Sequence, residues 1–342
     1  MQKVRSRSPL RLGLAGGGTD LKNYTNKFTG RVLNATINLY AHVTLDPSES
    51  VKKQIVFEAK DININQKIKI SNLNKIKTKL PLHLETYKYI ISKYNNNRHI
   101  SHKLTTYVDV PFGSGLGSSS TLVVSMIKAY TSFLKIKLNK HQIAKDAFII
   151  EREICRFDGG KQDQYAAAFG GINIFEFKQN TVKVKSLNLK QKIVQEFEES
   201  TILYYLGYSR KTNKIIADQN MKTLKSKTTL NAMHSMKRES YEFENNLKKG
   251  NFNSLFKSFE RGWRHKVKTS KYISSNKISS IFNYAKKNGA EAGKISGAGG
   301  GGFMIFFTKP ENSAKLKKKL NEYGGYVINC SFTFEGSQSW KI

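Results

Sequence analysis

The most informative segment of this chain is Pro111-Phe112-Gly113-Ser114-Gly115-Leu116-Gly117-Ser118-Ser119-Ser120. It follows a strand-like stretch over 103–110 and opens an apolar helical pattern over 119–134. The N-terminus of a helix leaves backbone N–H groups unpaired and carries partial positive charge, and glycines let that backbone approach a ligand closely. The serines add hydroxyls for a phosphate or a bound cation. The segment therefore predicts a phosphate-binding loop at the start of a helix.

Other phosphate-binding loops fit this segment less well. A Walker loop closes with Gly-Lys-Ser or Gly-Lys-Thr, and neither tripeptide occurs in the chain. A dinucleotide fingerprint needs G-x-G-x-x-G, whereas residues 113–117 have the pattern G-x-G-x-G. The catalytic motifs of protein kinases are absent as well. The alternative that involves no ligand is a glycine–serine turn with a helix N-cap.

Two further glycine clusters accompany this loop. Residues 13–21 follow Arg7 and Arg11 near the N-terminus, and residues 294–302 precede an apolar strand near the C-terminus. The C-terminal cluster contains consecutive glycines at 299–302, which cost conformational entropy and bring no side chain to pack. Close approach of the backbone to a ligand or to another backbone is the expected compensation.

Length, composition and charge narrow the class of protein. A chain of 342 residues with 39% hydrophobic residues suggests a globular protein of two domains. The formal net charge of +33 leaves two interpretations open, attraction of anionic ligands or lysines spread over solvated faces. No zinc-finger or aromatic RNA-binding motif accompanies the charge, so we expect no nucleic-acid partner. No apolar run is long enough to cross a membrane and no signal-peptide pattern is present, so we expect a cytoplasmic protein without a membrane partner.

Residue patterns predict an α+β order of elements. We expect strands over 4–14, 32–45, 103–110, 172–177 and 202–206, a hairpin over 49–70, and a glycine-rich strand segment over 294–308. We expect helices over 82–94, 119–134, 141–156, 163–169, 212–249, 252–268 and 278–287, followed by a final helix and strand. The pattern changes near residues 180–190, and we place a soft domain boundary between 185 and 186.

The three glycine segments, in this order, resemble the superfamily of galactokinase, homoserine kinase, mevalonate kinase and phosphomevalonate kinase, the GHMP kinases. Residues 111–119 are similar to its Pro-x-Gly-x-Gly-Leu-Gly-Ser-Ser phosphate motif, and the resemblance covers nearly the whole chain. Residues 11–20, 32–38 and 160–171 resemble the bacterial D-glycero-α-D-manno-heptose 7-phosphate kinases. The implied fold has an N-terminal domain over 1–185 like the second domain of ribosomal protein S5 and a ferredoxin-like C-terminal domain over 186–342.

The resemblance implies roles for the reacting groups. Asp163 matches the aspartate that faces the reacting hydroxyl in relatives, where it acts as general base or orients the hydroxyl. Without the resemblance, Asp163 would be interpreted as a helix N-cap. Arg11 matches the basic position that stabilises charge on the transferring phosphoryl group.

The same resemblance implies a site for ATP and Mg²⁺. Glu151 and Ser119 match the magnesium ligands, with Glu153 as a competing choice for the carboxylate, and oxygen ligands of this kind suit Mg²⁺. Relatives most often have alanine at the position of Ser120, a difference that we expect to leave activity intact. The residues expected to bind the phosphates of ATP are Gly113, Ser114, Gly115, Leu116, Gly117, Ser118, Ser119 and Ser120.

The acceptor site is predicted from the first glycine segment and from two basic residues. Asp20 resembles the aspartate that binds sugar hydroxyls in galactokinases, with help from Gly17, Gly18 and Thr19, although an ordinary turn is the alternative. Arg7 and Lys161 are the candidates for a substrate phosphate, because a phosphate needs a basic partner. The glycine loop expected at the active site comprises Ser296, Gly297, Ala298, Gly299 and Gly300.

The expected function is transfer of the ATP γ-phosphoryl group to O1 of D-glycero-α-D-manno-heptose 7-phosphate, in the synthesis of nucleotide-activated heptose for surface polysaccharide. A kinase for another sugar such as fucose, a catalytically silent sensor of sugar and ATP, and a basic RNA-binding protein are the alternatives. The expected partners are ATP and a small sugar phosphate, and a homodimer is left open.

Overall fold

A computed structural model describes residues 2–48, 53–208 and 212–342 of the chain. The strands are β1 Val4–Ala15, β2 Gly30–Asp46, β3 Gln54–Ala59, β4 Ile64–Lys69, β5 His102–Val108, β6 Ile172–Lys178, β7 Thr181–Ser186, β8 Thr201–Tyr205, β9 Ala290–Ile295, β10 Phe303–Thr308, β11 Tyr326–Ile328 and β12 Gln338–Lys341. The helices are α1 Lys22–Thr25, α2 Pro81–Tyr94, α3 Ser118–Phe133, α4 Lys140–Phe148, α5 Gln162–Phe169, α6 Gln191–Glu199, α7 Thr212–Lys225, α8 Lys227–Lys249, α9 Phe252–Val267, α10 Asn276–Lys287 and α11 Pro310–Glu322. Short 3₁₀ turns lie at Lys60–Ile62 and Ile70–Asn72, and a π-helical segment spans Ile149–Ile154.

The described strands form two sheets. The larger has the order β12-β1-β2-β5-β3-β4, and the long strand β2 also pairs with β6, which in turn pairs with β7. All its pairings are antiparallel except the parallel pair β3–β5. The smaller sheet has the antiparallel order β11-β8-β10-β9. The α+β class predicted from the sequence is confirmed.

Strand β10 shows why the C-terminal apolar run forms a central strand. Its neighbours β8 and β9 pair with both of its edges, and every residue from Phe303 to Thr308 is buried. Phe303, Ile305 and Phe307 belong to the core shared with β1 and β2, whereas Met304 and Phe306 belong to a second core on the other face. A strand that is covered on both faces has no reason to alternate polar and apolar side chains.

Several predicted elements have different boundaries. The hairpin is confirmed as β3–β4, with residues 49–52 outside the described ranges. The helix predicted over 141–156 is α-helical only to Phe148 and then becomes π-helical. The helix predicted over 212–249 is interrupted at Ser226, whose Oγ accepts a hydrogen bond from Thr229 N and caps α8. The sequence patterns missed β7 and α6 altogether.

The chain after residue 331 returns to the larger sheet. Strand β12 pairs with β1, with Ser339 opposite Ser6, and Phe332 forms a bridge with Ile37 of β2. The final strand was expected in the C-terminal domain, so its position is a correction: the edge of β1 is free to pair, and β11 already closes the smaller sheet. A boundary between residues 185 and 186 falls one residue before the end of β7 and stays a prediction.

Among the described residues, no helix has the length and apolar character needed to span a membrane.

Candidate active site

A cavity of about 300 Å³ lies where the three glycine segments converge. Backbone contacts hold the segments together: Arg11 N donates to Leu116 O at 3.2 Å, and Phe303 N donates to Ser114 O at 2.9 Å. Gly297, with φ of +72°, packs so tightly on the middle loop that a Cβ there would lie 2.7 Å from Gly115 O. Close backbone approach, expected from the glycine content, is therefore present.

The middle loop presents part of its length to the cavity. Gly113, Gly115, Gly117, Ser118 and Ser119 line the cavity. Helix α3 starts after Gly117 without a side-chain cap, so its first N–H groups have no side-chain acceptor. The remaining predicted loop residues, Ser114, Leu116 and Ser120, are buried and do not line the cavity.

Arg11 and Asp163 form an ion pair beside the loop. Arg11 Nε donates to Asp163 Oδ1 at 2.7 Å, and Arg11 Nη2 lies 2.7 Å from the same oxygen. Arg11 Nη1 donates to Gly115 O at 2.7 Å and to Ser296 Oγ at 3.4 Å, so the guanidinium joins all three glycine segments to α5. The N-cap interpretation of Asp163 is wrong, because α5 begins after Lys161 and has no side-chain cap.

Glu151 lies behind the loop at the start of the π-helical segment. Its Oε1 accepts from Ser119 Oγ at 2.7 Å, and its Oε2 accepts from Ser120 Oγ at 2.6 Å and from Gln164 Nε2 at 2.7 Å. Glu151 is fully buried, whereas Glu153 is exposed, so the geometry favours Glu151 over its competitor. The serine at position 120 is thus a partner of this carboxylate.

The donor set at Glu151 fits a hard cation. Its Oε1 and Ser119 Oγ are two oxygens within 2.7 Å of each other, and Ser119 lines the cavity where phosphate oxygens would complete the coordination. Within the described ranges, no group of three or more His, Cys, Asp or Glu residues is placed to hold a metal ion. This arrangement suits Mg²⁺, which uses one or two protein oxygens together with nucleotide phosphates.

The first glycine segment contributes Asp20 to the lining of the cavity. Its carboxylate accepts hydrogen bonds from Gly18 N at 3.1 Å, from Gln162 N at 3.2 Å and from Gln162 Nε2 at 3.0 Å. Burial raises the pKa of Asp20, and the nearby Asp163 carboxylate raises it further. Asp20 therefore stabilises the turn and also reaches the cavity, so the two alternatives for this residue are compatible.

Four residues predicted for the acceptor site lie outside this cavity. Arg7 donates to Gln338 at 3.0 Å and stacks on Tyr40, because it faces β12 farther along β1. Lys161 donates to Gln179 O at 2.7 Å. Thr19 is fully buried and donates to Gly16 O and Arg31 O, and Gly17 lines a separate small cavity. The expectation that Arg7 and Lys161 contact an acceptor is thus not supported by their positions.

Only part of the third glycine segment lines the cavity. Gly297 and Ala298 line the cavity, and Ser296 Oγ accepts a hydrogen bond from Arg11 Nη1. Gly299 packs against Ile273, and Gly300 N donates to Ile273 O at 2.8 Å, so these two glycines fix the loop to the C-terminal core.

The sequence patterns missed a lysine in this cavity. Lys266, at the end of α9, is 8% exposed and donates to Gly297 O. Burial lowers the pKa of Lys266 to about 8. Its neighbour Lys294 is also buried and donates to Leu14 O at 2.7 Å, and burial holds its pKa well below the usual range. No sequence pattern distinguishes Lys266 from the other lysines and arginines, in a chain that has 58 of these residues in total.

A second, apolar cavity of about 320 Å³ adjoins the first. The two share Phe112, Ser118, Ser119 and Phe157, and the rest of the second cavity is lined mainly by apolar residues of β3–α2 and β5. It has room for a flat heterocycle next to a phosphate loop. The sequence patterns did not indicate it, because its walls come from separate ordinary apolar segments.

Comparison with known proteins agrees with this architecture. The family model described as "GHMP kinases N terminal domain" matches residues 81–171, and the model "GHMP kinases C terminal" matches residues 243–325. The chain belongs to the GHMP kinases, a family of phosphotransferases that use ATP as phosphate donor. The two-domain GHMP-kinase fold expected from the sequence is confirmed.

Particular relatives are similar over the full length. A Campylobacter jejuni protein named D-glycero-α-D-manno-heptose 7-phosphate kinase is 42% identical, and the alignment covers 100% of both chains. A solved D-glycero-D-manno-heptose 1-phosphate kinase from Bacteroides thetaiotaomicron is 36% identical with a TM-score of 0.82 over 99% of each chain. The mevalonate kinase of Methanococcus jannaschii, at 20% identity and a TM-score of 0.77 over 96% of this chain and 98% of its own, shares the fold.

Proposed function

We propose that this protein transfers the γ-phosphoryl group of ATP to O1 of D-glycero-α-D-manno-heptose 7-phosphate. One observation carries the proposal: the Asp163 carboxylate lies against the phosphate loop. A Cβ on Gly117 would be 3.2 Å from Asp163 Cγ. An acceptor hydroxyl bound at Asp163 would therefore be next to phosphates bound at the N-terminus of α3.

The roles of the side chains follow from their positions. Asp163 accepts the proton of the acceptor hydroxyl or orients it, as O1 attacks the γ-phosphorus and ADP leaves. Arg11, held by Gly115 O and Ser296 Oγ, stabilises negative charge on the transferring group. Ser119 and Glu151 would hold Mg²⁺, which supplies neutralisation of the phosphate charge when bound. The apolar cavity beside Ser118 accommodates the adenine ring.

The choice of acceptor rests on the relatives. The two heptose kinases that are 42% and 36% identical are named for different phosphates, the 7-phosphate and the 1-phosphate. We favour the 7-phosphate substrate because the relative with that name has the higher identity, 42% against 36%, at nearly the same coverage. The reaction would then serve synthesis of nucleotide-activated heptose for surface polysaccharide in the cytoplasm.

A catalytically silent sensor is the second candidate from the sequence. Asp163, Ser119 and Arg11 all face one cavity, with Glu151 behind the serine. A sensor would not need an acceptor carboxylate, a cation site and a phosphate loop in this mutual arrangement, so the geometry favours the kinase.

The test is ADP release with ATP, with and without Mg²⁺, across a panel of acceptors. The panel contains D-glycero-D-manno-heptose 7-phosphate, the heptose 1-phosphate, sedoheptulose 7-phosphate, mannose 6-phosphate, fucose, galactose and mevalonate. We expect Mg²⁺-dependent turnover with the heptose 7-phosphate and a 1,7-bisphosphate product identified by ³¹P NMR. Preferred turnover of an unphosphorylated sugar would replace the substrate, and ATP binding without turnover of any acceptor would favour the sensor.

A further inference from the structure

Among the described residues, three cationic side chains line the main cavity, and two of them, Arg11 and Arg152, are paired with carboxylates. Each of the three nitrogens of Arg11 contacts Asp163, Gly115 O or Ser296 Oγ. Arg152 is engaged in the same way, since its guanidinium contacts Gly160 O, Asp158 O, Glu151 and Ser120. Both arginines are therefore held in place by protein partners that include a carboxylate.

Lys266 differs in its use of donors. Its ammonium group has three N–H donors, and in the described part of the chain Gly297 O is the hydrogen-bond acceptor that it contacts. It lines the cavity while being 8% exposed, so its side chain is largely shielded from bulk water. A buried ammonium group with unused donors is costly unless a ligand pairs with it.

The surroundings of Lys266 favour an anion over a neutral hydroxyl. Asp20 exerts the largest charge effect on Lys266, ahead of Arg11 and Asp163. Asp163 is neutralised by Arg11, and Asp20 is itself kept in place by Gly18 N and Gln162. Lys294 and Lys266 line a separate cavity that is too small for more than a water molecule, and burial holds the pKa of Lys294 well below its usual range. In the described part of the chain, Lys266 has Gly297 O as its hydrogen-bond acceptor, whereas Arg11 and Arg152 each have a carboxylate partner.

We propose that Lys266 binds the phosphate monoester of the acceptor and thereby selects phosphorylated sugars. The proposal rests on the proposed kinase function and replaces Arg7 and Lys161 as the phosphate partner. A phosphate oxygen would accept the ammonium donors that Gly297 O leaves unused, and its charge would offset that of the buried Lys266.

The experiment measures kcat and KM of Lys266→Met with two acceptors, the heptose 7-phosphate and the same heptose without phosphate. We expect the KM for the phosphorylated acceptor to rise about tenfold to hundredfold, the value of a charged hydrogen bond. The KM for the unphosphorylated heptose and the KM for ATP are expected to change by less than about threefold. Lys268→Met is the matched control, because Lys268 is exposed at the end of the same helix.

The outcomes separate this inference from the proposed function. Equal losses with both acceptors, or a loss of kcat with an unchanged KM, would place Lys266 at the transferring phosphoryl group and overturn the inference. Absence of wild-type turnover with the heptose 7-phosphate would overturn the proposed function instead, whatever the variant does. Should the methionine variant not fold, Lys266→Gln keeps a donor for Gly297 O without the charge, and the same shift in KM is expected from it.

Discussion

The ion pair of Arg11 and Asp163 places a fixed cation and a carboxylate at one point of the cavity. Asp163 Oδ1 contacts both Nε and Nη2 of Arg11, so Oδ2 is the oxygen left for an acceptor hydroxyl. A Cβ on Gly117 would lie 3.4 Å from that oxygen, which shows how closely it approaches the phosphate loop. The pair therefore orients the carboxylate, and the guanidinium would face phosphates bound at the loop.

Asp163→Asn is expected to lower kcat by about 10²–10⁴-fold, because the amide cannot accept the hydroxyl proton. ATP affinity should change by less than about threefold, since the phosphate loop does not depend on that charge. Steady-state kinetics and calorimetric ATP titration measure the two quantities. Asp158→Asn, an exposed carboxylate at the rim of the same cavity, is the control. Equal losses in turnover and ATP affinity would contradict the assignment.

The buried ammonium of Lys266 should cost stability in the absence of substrate. Its folded-state pKa of about 8 lies below the ordinary 10.5, so between these values the unfolded chain binds more protons. Stability contributed at this site therefore rises with pH from about 8 to 10.5 and is lowest at pH 7. We expect Lys266→Met to increase the free energy of unfolding at pH 7 by about 2 kcal/mol.

Denaturant unfolding at pH 7 and pH 9.5 tests this expectation. The advantage of Lys266→Met over the wild type should shrink at the higher pH, because wild-type Lys266 is then neutral in the folded state. Lys268→Met should show no such dependence. A variant that is equally destabilised at both pH values would show that Lys266 has a structural role.

At the scale of elements, the glycine segments act through contacts between backbones. Gly297→Ala is expected to lower kcat/KM for ATP by at least about tenfold, because the new Cβ would push Gly115 away from its position. Gly324→Ala is the matched control: its φ is +103° and no atom lies within 4 Å of the added carbon. Both variants incur backbone strain of about 1–2 kcal/mol. A comparison of melting temperatures and ATP kinetics separates strain from collision.

The same elements show what sequence can and cannot predict. The loop over 111–120 was recognisable because consecutive glycines and serines before a helix have few structural explanations. The helix break at Ser226 could not be recognised in the same way. A serine within a polar helical pattern acts as an N-cap only where the chain changes direction. Lys266 and the walls of the apolar cavity depend on distant segments meeting, which residue type and local period do not encode.

At the scale of the whole molecule, the returning C-terminal segment joins the two sheets. Thr333 N donates to Thr36 O, Gly171 N donates to Thr333 O, and Asn38 N donates to Ser331 O. Phe332 stacks on Phe197 of α6 with ring centroids 5.1 Å apart. The segment is thus part of the interface between the eight-stranded sheet and the C-terminal core.

Removal of residues 332–342 should destabilise the whole protein. Each buried backbone hydrogen bond lost costs on the order of 1 kcal/mol, so we expect the Tm to fall by about 5–10 °C. Differential scanning calorimetry measures the change, and Lys341→Ala, which shortens an exposed side chain of β12 and leaves its backbone pairing intact, is the control. An unchanged Tm would show that the sheet does not need its final strand.

The pairing of β12 with β1 also has a consequence for synthesis on the ribosome. The partner of Val4 is Lys341. The β1 edge of the larger sheet therefore stays unpaired until more than 300 further residues have been synthesised. At about 5–20 residues per second, that delay is on the order of 20–60 s, during which the β1 edge is unpaired. Open strand edges attract other chains. A nascent chain of this protein is therefore expected to depend on chaperone protection of its first strand, and slower translation would lengthen the period of risk.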